Sequence, residues 1–159
     1  ISRLFGEADG RLPRLDILIN NAALAYQSIM DGSYDDWQYI VQTNLLGYMA
    51  CAHEAVGRMK ANGSGHIINI GSMLSIFGAA FAGPYGASKG GVVQLTKSLA
   101  SAWAKDNIQV NAILPGLIDT DLTRKAREQV EGFNERVLAR TPAQRWGVPD
   151  DASSKPVAR

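Results

Sequence analysis

At 159 residues, 46% of them hydrophobic and 19% charged, the chain is long enough for one domain with a real core and has the composition of a soluble globular protein. Sixteen basic and fifteen acidic residues leave a net charge of +1 with no basic stripe, which argues against a nucleic-acid partner. No apolar run approaches a membrane span, no signal peptide opens the chain and a lone cysteine excludes a disulfide framework, so a cytoplasmic setting is expected.

Apolar residues at 1, 4, 5 and 8 have helical spacing and predict the end of a helix, broken by the turn residues at 10–13. The apolar run 15–19 reads as a buried parallel strand, with Asn20-Asn21-Ala22-Ala23 at its carboxyl end. Ser33-Tyr-Asp-Asp36 matches a capping box and opens a long helix to about residue 60. Trp37, Ile40, Val41, Leu45, Tyr48 and Met49 supply its apolar face. Asn44 interrupts that face, and asparagine is a poor interior helix residue because its side chain competes for the backbone. A side-chain-to-backbone bond that kinks the helix would account for it. Cys51 lies within the helical pattern and reads as a buried small residue. His53 reads as structural or solvated.

A turn at 62–65 leads to a second strand over 66–70, with His66 at its entry as a surface residue. Neither histidine has a partner at metal-ligand spacing, so no metal site is expected. Gly71-Ser72 ends that strand. A loop rich in glycine and alanine follows, then a helix from Pro84 to about residue 104 that carries Tyr85 and Lys89. Small residues at 83, 86–88, 90 and 91 suit the close approach of a neighbour or ligand. A third strand is predicted over 108–114, turned by Pro115-Gly116, and one or two amphipathic helices over 122–138. Thr120 can cap the first of these. Strands alternating with long helices define an α/β fold with a parallel sheet. The polar segment 148–159 does not continue the pattern and reads as an irregular tail on a single domain spanning 1–159.

The chemistry concentrates at Ser72, Tyr85 and Lys89. Residues i and i+4 share a helix face, so the phenol of Tyr85 and the ammonium of Lys89 stand beside each other. A neighbouring cation favours the phenolate and should lower the pKa of Tyr85 from its ordinary value near 10. Such a tyrosine can give a proton to a carbonyl oxygen or take one from an alcohol. Ser72, at the strand end where open α/β sheets bind ligands, can hydrogen-bond the same oxygen. Tyr-x-x-x-Lys alone is common by chance, and its plainest reading is an exposed i,i+4 pair; the upstream serine narrows it.

Together, Asn20-Asn21-Ala22-Ala23, Asn44, Asn69-Ile-Gly-Ser72, Tyr85-Gly-Ala-Ser-Lys89 and Asn111-Ala-Ile-Leu-Pro115-Gly116 resemble the short-chain dehydrogenase/reductase family of NAD(P)-dependent oxidoreductases, over about 15–147. The resemblance implies a Rossmann-like doubly wound parallel sheet, here a partial one holding the catalytic half in about three strands. It implies that Ser72, Tyr85, Lys89 and Asn44 are catalytic, Asn44 holding a water that links the lysine to solvent. It places Asn20, Ala22, Tyr85, Lys89, Pro115, Gly116, Ile118 and Thr120 at NAD or NADP, with Ile118 and Thr120 at the carboxamide. For Thr120 that role and the helix cap remain two open readings. Ser72, Met73, Leu74 and Leu117, with Phe77 and Phe81, would line the pocket for a small alcohol or carbonyl substrate. The segment 122–138 would be a lid, and the helices at 34–60 and 84–104 would pair subunits into a homo-oligomer.

The family turn usually ends in glycine where Ala23 stands, which bears on a positive-φ turn there. The family's glycine-rich phosphate loop has no counterpart, so the chain reads as truncated at both ends and is expected to bind cofactor weakly or not at all by itself. Asp151-Ala-Ser-Ser154 faintly resembles a later family segment, as an internal deletion would leave it. The motifs look most like sugar or polyol dehydrogenases of the glucose or gluconate type, with 3-oxoacyl-carrier-protein reductases second. An inactive fragment acting as an oligomerisation module is the alternative from another class.

Overall fold

The computed structural model describes residues 1–24, 31–129 and 131–152. The chain forms two compact units, residues 1–114 and 115–159. In the first, α1 (Ser2–Asp9) precedes β1 (Ile17–Asn20), α2 (Tyr34–Val41) and α3 (Gly47–Asn62), the last two joined by a π-helical turn at Gln42–Leu46. There follow β2 (Gly65–Ile70), a 3₁₀ turn at Met73–Ser75, α4 (Gly83–Trp103) and β3 (Ile108–Ile113). The three strands form a parallel sheet in the order β1-β2-β3, pairing Asn20 with Asn69 and Asn69 with Ala112.

Local chemistry sets the element ends. Ser33 and Asp36 exchange bonds at the start of α2: the Asp36 amide donates to Ser33 Oγ at 3.2 Å and the Ser33 amide to Asp36 Oδ2 at 3.0 Å. This is the capping box the sequence predicts. Gly63, at φ +75°, closes α3 in the left-handed region, which glycine adopts without steric cost. Pro84 sits in the first turn of α4, where its missing N–H costs nothing. Ala23 keeps a negative φ, so the chain leaves β1 without a left-handed turn at that residue.

The core lies on one face of the sheet. Register places Leu18, Ile67 and Val110 side by side, and they pack against Phe5 of α1, Ala52, Ala55 and Met59 of α3, and Leu99 and Trp103 of α4. Ile17 and Ile19 alternate to the other face and are 55% and 59% exposed. The expectation that the run 15–19 is buried on both faces is therefore corrected. β1 starts at Ile17, forms a sheet edge, and has only one side covered by the helices that build this core. Cys51 packs half-buried at the margin of the core, and burial raises its thiol pKa. His66 is exposed.

The second unit holds α5 (Asp121–Gln129), α6 (Phe133–Arg140) and a 3₁₀ turn at Pro149–Ala152. Ile118 bridges to Gly147, and the Asp119 amide donates to the Gly147 carbonyl at 2.7 Å. Trp146 packs edge-on to Phe133, lies under the Arg127 guanidinium and donates to Asn134 Oδ1. Arg145 makes a two-pronged bond to Asp151, whose carboxyl falls to about 2 through that bond and the Val148 amide. Part of the expected irregular tail is thus an ordered turn over Pro149–Ala152. The rest of it, including Ser154, lies outside the described residues.

Candidate active site

The carboxyl end of β2 delivers Ser72. Its backbone is extended, and its hydroxyl caps the 3₁₀ turn by accepting from the Leu74 amide at 3.1 Å. The Ser72 amide donates to Ser75 Oγ at 3.1 Å, and Ser75 Oγ donates to the Lys89 carbonyl at 2.8 Å. This turn packs on α4: a Cβ on Gly86 would sit 3.5 Å from the Leu74 carbonyl, and one on Gly90 would sit 3.6 Å from that of Ser75, both ordinary van der Waals separations.

Tyr85, in the first turn of α4, is half-buried, with the Ser72 side chain near enough to act on its phenol. Lys89 follows one helical turn later and is only 1% exposed. Its Nζ donates to the Ile70 carbonyl at 2.6 Å and to the Tyr48 hydroxyl at 3.4 Å. The ammonium lies 5.2 Å from the centre of the Tyr48 ring and 5.8 Å from that of Tyr85. Ser72, Tyr85 and Lys89 therefore come together as the sequence predicts.

The electrostatics differ from the sequence expectation. Burial raises the Tyr85 phenol above its ordinary value, and the Ser72 hydrogen bond partly offsets that rise. Burial lowers Lys89 to about 8. Lys89 is drawn to the Ile70 carbonyl and shared with Tyr48, and so does not set the Tyr85 pKa as expected; Ser72 supplies the lowering influence. Burial pushes Tyr48 to about 12, helped by the neighbouring Tyr85.

Asn44 sits fully buried in the π-helical turn. Its Oδ1 accepts from the Leu24 amide at 2.8 Å, and its Nδ2 donates to Ser88 Oγ at 3.2 Å and to the Leu24 carbonyl at 3.4 Å. Ser88 Oγ donates in turn to the Tyr85 carbonyl at 2.7 Å. The side-chain-to-backbone bond anticipated for Asn44 thus reaches the segment after β1, and the helix widens where it sits.

Asn20 is 4% exposed, and its amide donates to Asn69 Oδ1 at 2.8 Å. Asn69 donates on to Thr96 Oγ1 at 2.9 Å, and Thr96 to the Val92 carbonyl at 2.8 Å. Its side chain thus braces the sheet against α4. Ala22 is exposed just beyond β1. Met73 and Leu74 are half-buried in the 3₁₀ turn, while Phe77 and Phe81 are exposed. In the second unit, Pro115, Leu117 and Ile118 are half-buried and Gly116 is exposed. Thr120 Oγ1 accepts from the Thr123 amide at 3.4 Å, a long cap bond at the start of α5. Among the described residues no cluster of three or more His, Cys, Asp or Glu could hold a metal, and no helix is long and apolar enough to cross a membrane.

Sequence reasoning passed over Tyr48, Ser75 and Ser88 as site residues. Tyr48 stands four residues after Asn44, hence on the same helix face, and Ser75 stands three after Ser72, the spacing of a cap.

A parallel sheet that ends in a serine, facing a helix with tyrosine and lysine one turn apart, defines an α/β protein of the Rossmann type. The chain belongs to the short chain dehydrogenase family, which it matches over residues 1–131. It is 42% identical over 139 residues to the 2-dehydro-3-deoxy-D-gluconate 5-dehydrogenase of Bacillus subtilis, covering 87% of this chain and 54% of that protein. It is 37% identical over 142 residues to the 3-oxoacyl-[acyl-carrier-protein] reductase of Chlamydia pneumoniae, covering 88% of this chain and 56% of that one. A crystal structure of a gluconate 5-dehydrogenase from Burkholderia cenocepacia, in complex with NADP and tartrate, superposes with a TM-score of 0.86 at 36% identity. That match covers 92% of this chain and 58% of the other. The chain thus spans somewhat over half the length of these relatives.

Proposed function

We propose that this chain carries the catalytic centre of an NAD(P)-dependent oxidoreductase that interconverts a secondary alcohol and a carbonyl on a small sugar acid of the gluconate type. The observation that carries the reading is the grouping of Ser72, Tyr85 and Lys89, in which Ser72 acts on the Tyr85 phenol and the Lys89 ammonium lies 5.8 Å from the centre of the Tyr85 ring. The residues fit a nicotinamide cofactor. An ammonium has three donors, of which the Ile70 carbonyl takes one and the Tyr48 hydroxyl a second, longer one, leaving one for a ribose hydroxyl. The bound nicotinamide supplies hydride in reduction and accepts it in oxidation.

In the reductive direction, Ser72 and Tyr85 hold the substrate carbonyl oxygen. As the carbon–oxygen double bond opens, Tyr85 gives its proton to that oxygen and the alcohol forms; oxidation reverses the transfer. The raised pKa keeps Tyr85 protonated at neutral pH, as a proton donor must be. Asn44 steadies the helix start through Ser88 and the Tyr85 carbonyl, and completes the route by which the proton is replaced. Asn20 and Ala22, at the carboxyl end of β1, would hold the cofactor, and Met73 and Leu74 would wall the substrate beside Ser72. The protein works in the cytoplasm as a homo-oligomer, and the large exposed residues Tyr34 and Tyr39 on α2, Leu46 in the π-helical turn and Met49 on α3 support that association.

The similarity to the sugar-acid dehydrogenase of Bacillus subtilis and to the gluconate enzyme crystallised with NADP favours this substrate class and NADP. The likeness to an acyl-carrier-protein reductase supports a second reading, a 3-oxoacyl thioester substrate. The test starts with fluorescence titration by NADPH and NADH, using a protein that carries this chain at the length of its relatives. Turnover of gluconate-type acids and of 3-oxoacyl thioesters is then compared. Faster turnover of sugar acids is expected; thioester turnover alone would select the second reading, and no turnover of either would overturn both.

A further inference from the structure

We infer that Tyr48 is a positioning residue for Lys89: its hydroxyl holds the ammonium against the Ile70 carbonyl and keeps the lysine charged beside Tyr85. Tyr48 belongs to none of the motifs that define the site, and the sequence shows it only as part of an apolar face. In the structure it is 2% exposed, yet its hydroxyl is not idle. It accepts from Lys89 Nζ at 3.4 Å and donates to the Ile70 carbonyl at 3.4 Å, closing a triangle of lysine, phenol and strand carbonyl. The ring centre lies 5.2 Å from the ammonium, which stands off the hydroxyl end of the ring, so the hydroxyl and not the ring face makes the contact.

The lysine needs such support. Among the described residues no carboxylate pairs with it, and the titratable groups facing it are Tyr48 from α3 and Tyr85 from α4. A buried ammonium without an anion loses protons readily, and Lys89 is already lowered to about 8. The Ile70 carbonyl and the Tyr48 hydroxyl are what keep it charged at neutral pH. The role of Lys89 rests on the proposed function, but its geometry and titration do not.

The test reads Lys89 directly, by NMR titration of lysines labelled at the ε carbon in the whole chain, with Lys89→Arg to assign the signal. Tyr48→Phe keeps the ring and removes the hydroxyl; Tyr48→Leu removes both. The midpoint should fall by about half a pH unit in Tyr48→Phe, the worth of one weak hydrogen bond, and by a similar amount in Tyr48→Leu, since both remove the hydroxyl. A midpoint unchanged or raised in the folded Tyr48→Phe variant would overturn the inference, whether or not the protein proves to be an alcohol dehydrogenase. In the complete enzyme the same two variants should move the alkaline limb of the kcat profile to lower pH in step with the titration.

Discussion

Ser75 Oγ donates to the Lys89 carbonyl at 2.8 Å across a sequence gap of 14 residues, while accepting from the amide of Ser72. One small hydroxyl thereby joins the strand end that carries the serine to the helix that carries the tyrosine and lysine. Ser75 thus ties those elements through the backbone of Lys89, alongside the bond from Lys89 Nζ to the Ile70 carbonyl at 2.6 Å.

Ser75→Ala should therefore cost about 1–2 kcal/mol in stability, the value of two partly buried hydrogen bonds lost together. Urea denaturation checks this. In the complete enzyme, kcat should fall further than KM rises, because the substitution shifts Ser72 against Tyr85 without removing either.

Tyr85→Phe should lower turnover about 10²- to 10⁴-fold, the usual worth of a positioned proton donor, and leave nucleotide binding in place. Steady-state kinetics and NADPH titration on the complete enzyme measure the two effects. Retained turnover would refute the assignment of Tyr85 as the acid.

Stability should rise with pH between about 8 and 10. Lys89 is lowered from 10.5 to about 8 in the fold, so above pH 8 the folded chain holds fewer protons than the unfolded chain, and the cost of burying the charge fades. Tyr48 acts the other way at higher pH. Raised from 10.0 to about 12, it stays protonated in the fold while the unfolded chain ionises, so stability falls from about pH 10 to 12. Cys51, raised from 9.0, and Tyr85, raised from 10.0, act as Tyr48 does, so the rise should be steepest near pH 8–9 and level off before pH 10. Urea midpoints across this range test it, and Lys89→Met should abolish the rise.

Asn69→Leu should destabilise the chain by about 2–4 kcal/mol, because it leaves the buried Asn20 amide without its acceptor and Thr96 without its donor. Thr96→Val, at the end of the same chain of bonds, should cost less. Thermal unfolding of the two variants ranks them.

The sequence by itself determined the order of elements and the identity of the reacting groups. Periodicity located α1 and the long helix pair, the apolar runs located β2 and β3, and the Ser33 capping box and the turn at Gly63 marked helix ends, because these are properties of neighbours along the chain. The spacing of Tyr85 and Lys89 put both on one helix face before any fold was known. What only the tertiary structure decided depends on residues distant in sequence. The direction of the Lys89 ammonium is set by the Ile70 carbonyl, 19 residues away, and by Tyr48, 41 away. Spacing alone assigned Lys89 the task of lowering the Tyr85 pKa, but desolvation, a property of the packed volume, raises that pKa instead. The outward face of Ile17 and Ile19 was equally invisible, since an apolar run does not say how many faces of its strand the helices cover. Asn44 shows both limits: its place inside a helix was legible as a defect, and its partners, Leu24 and Ser88, appeared only when the chain closed around them.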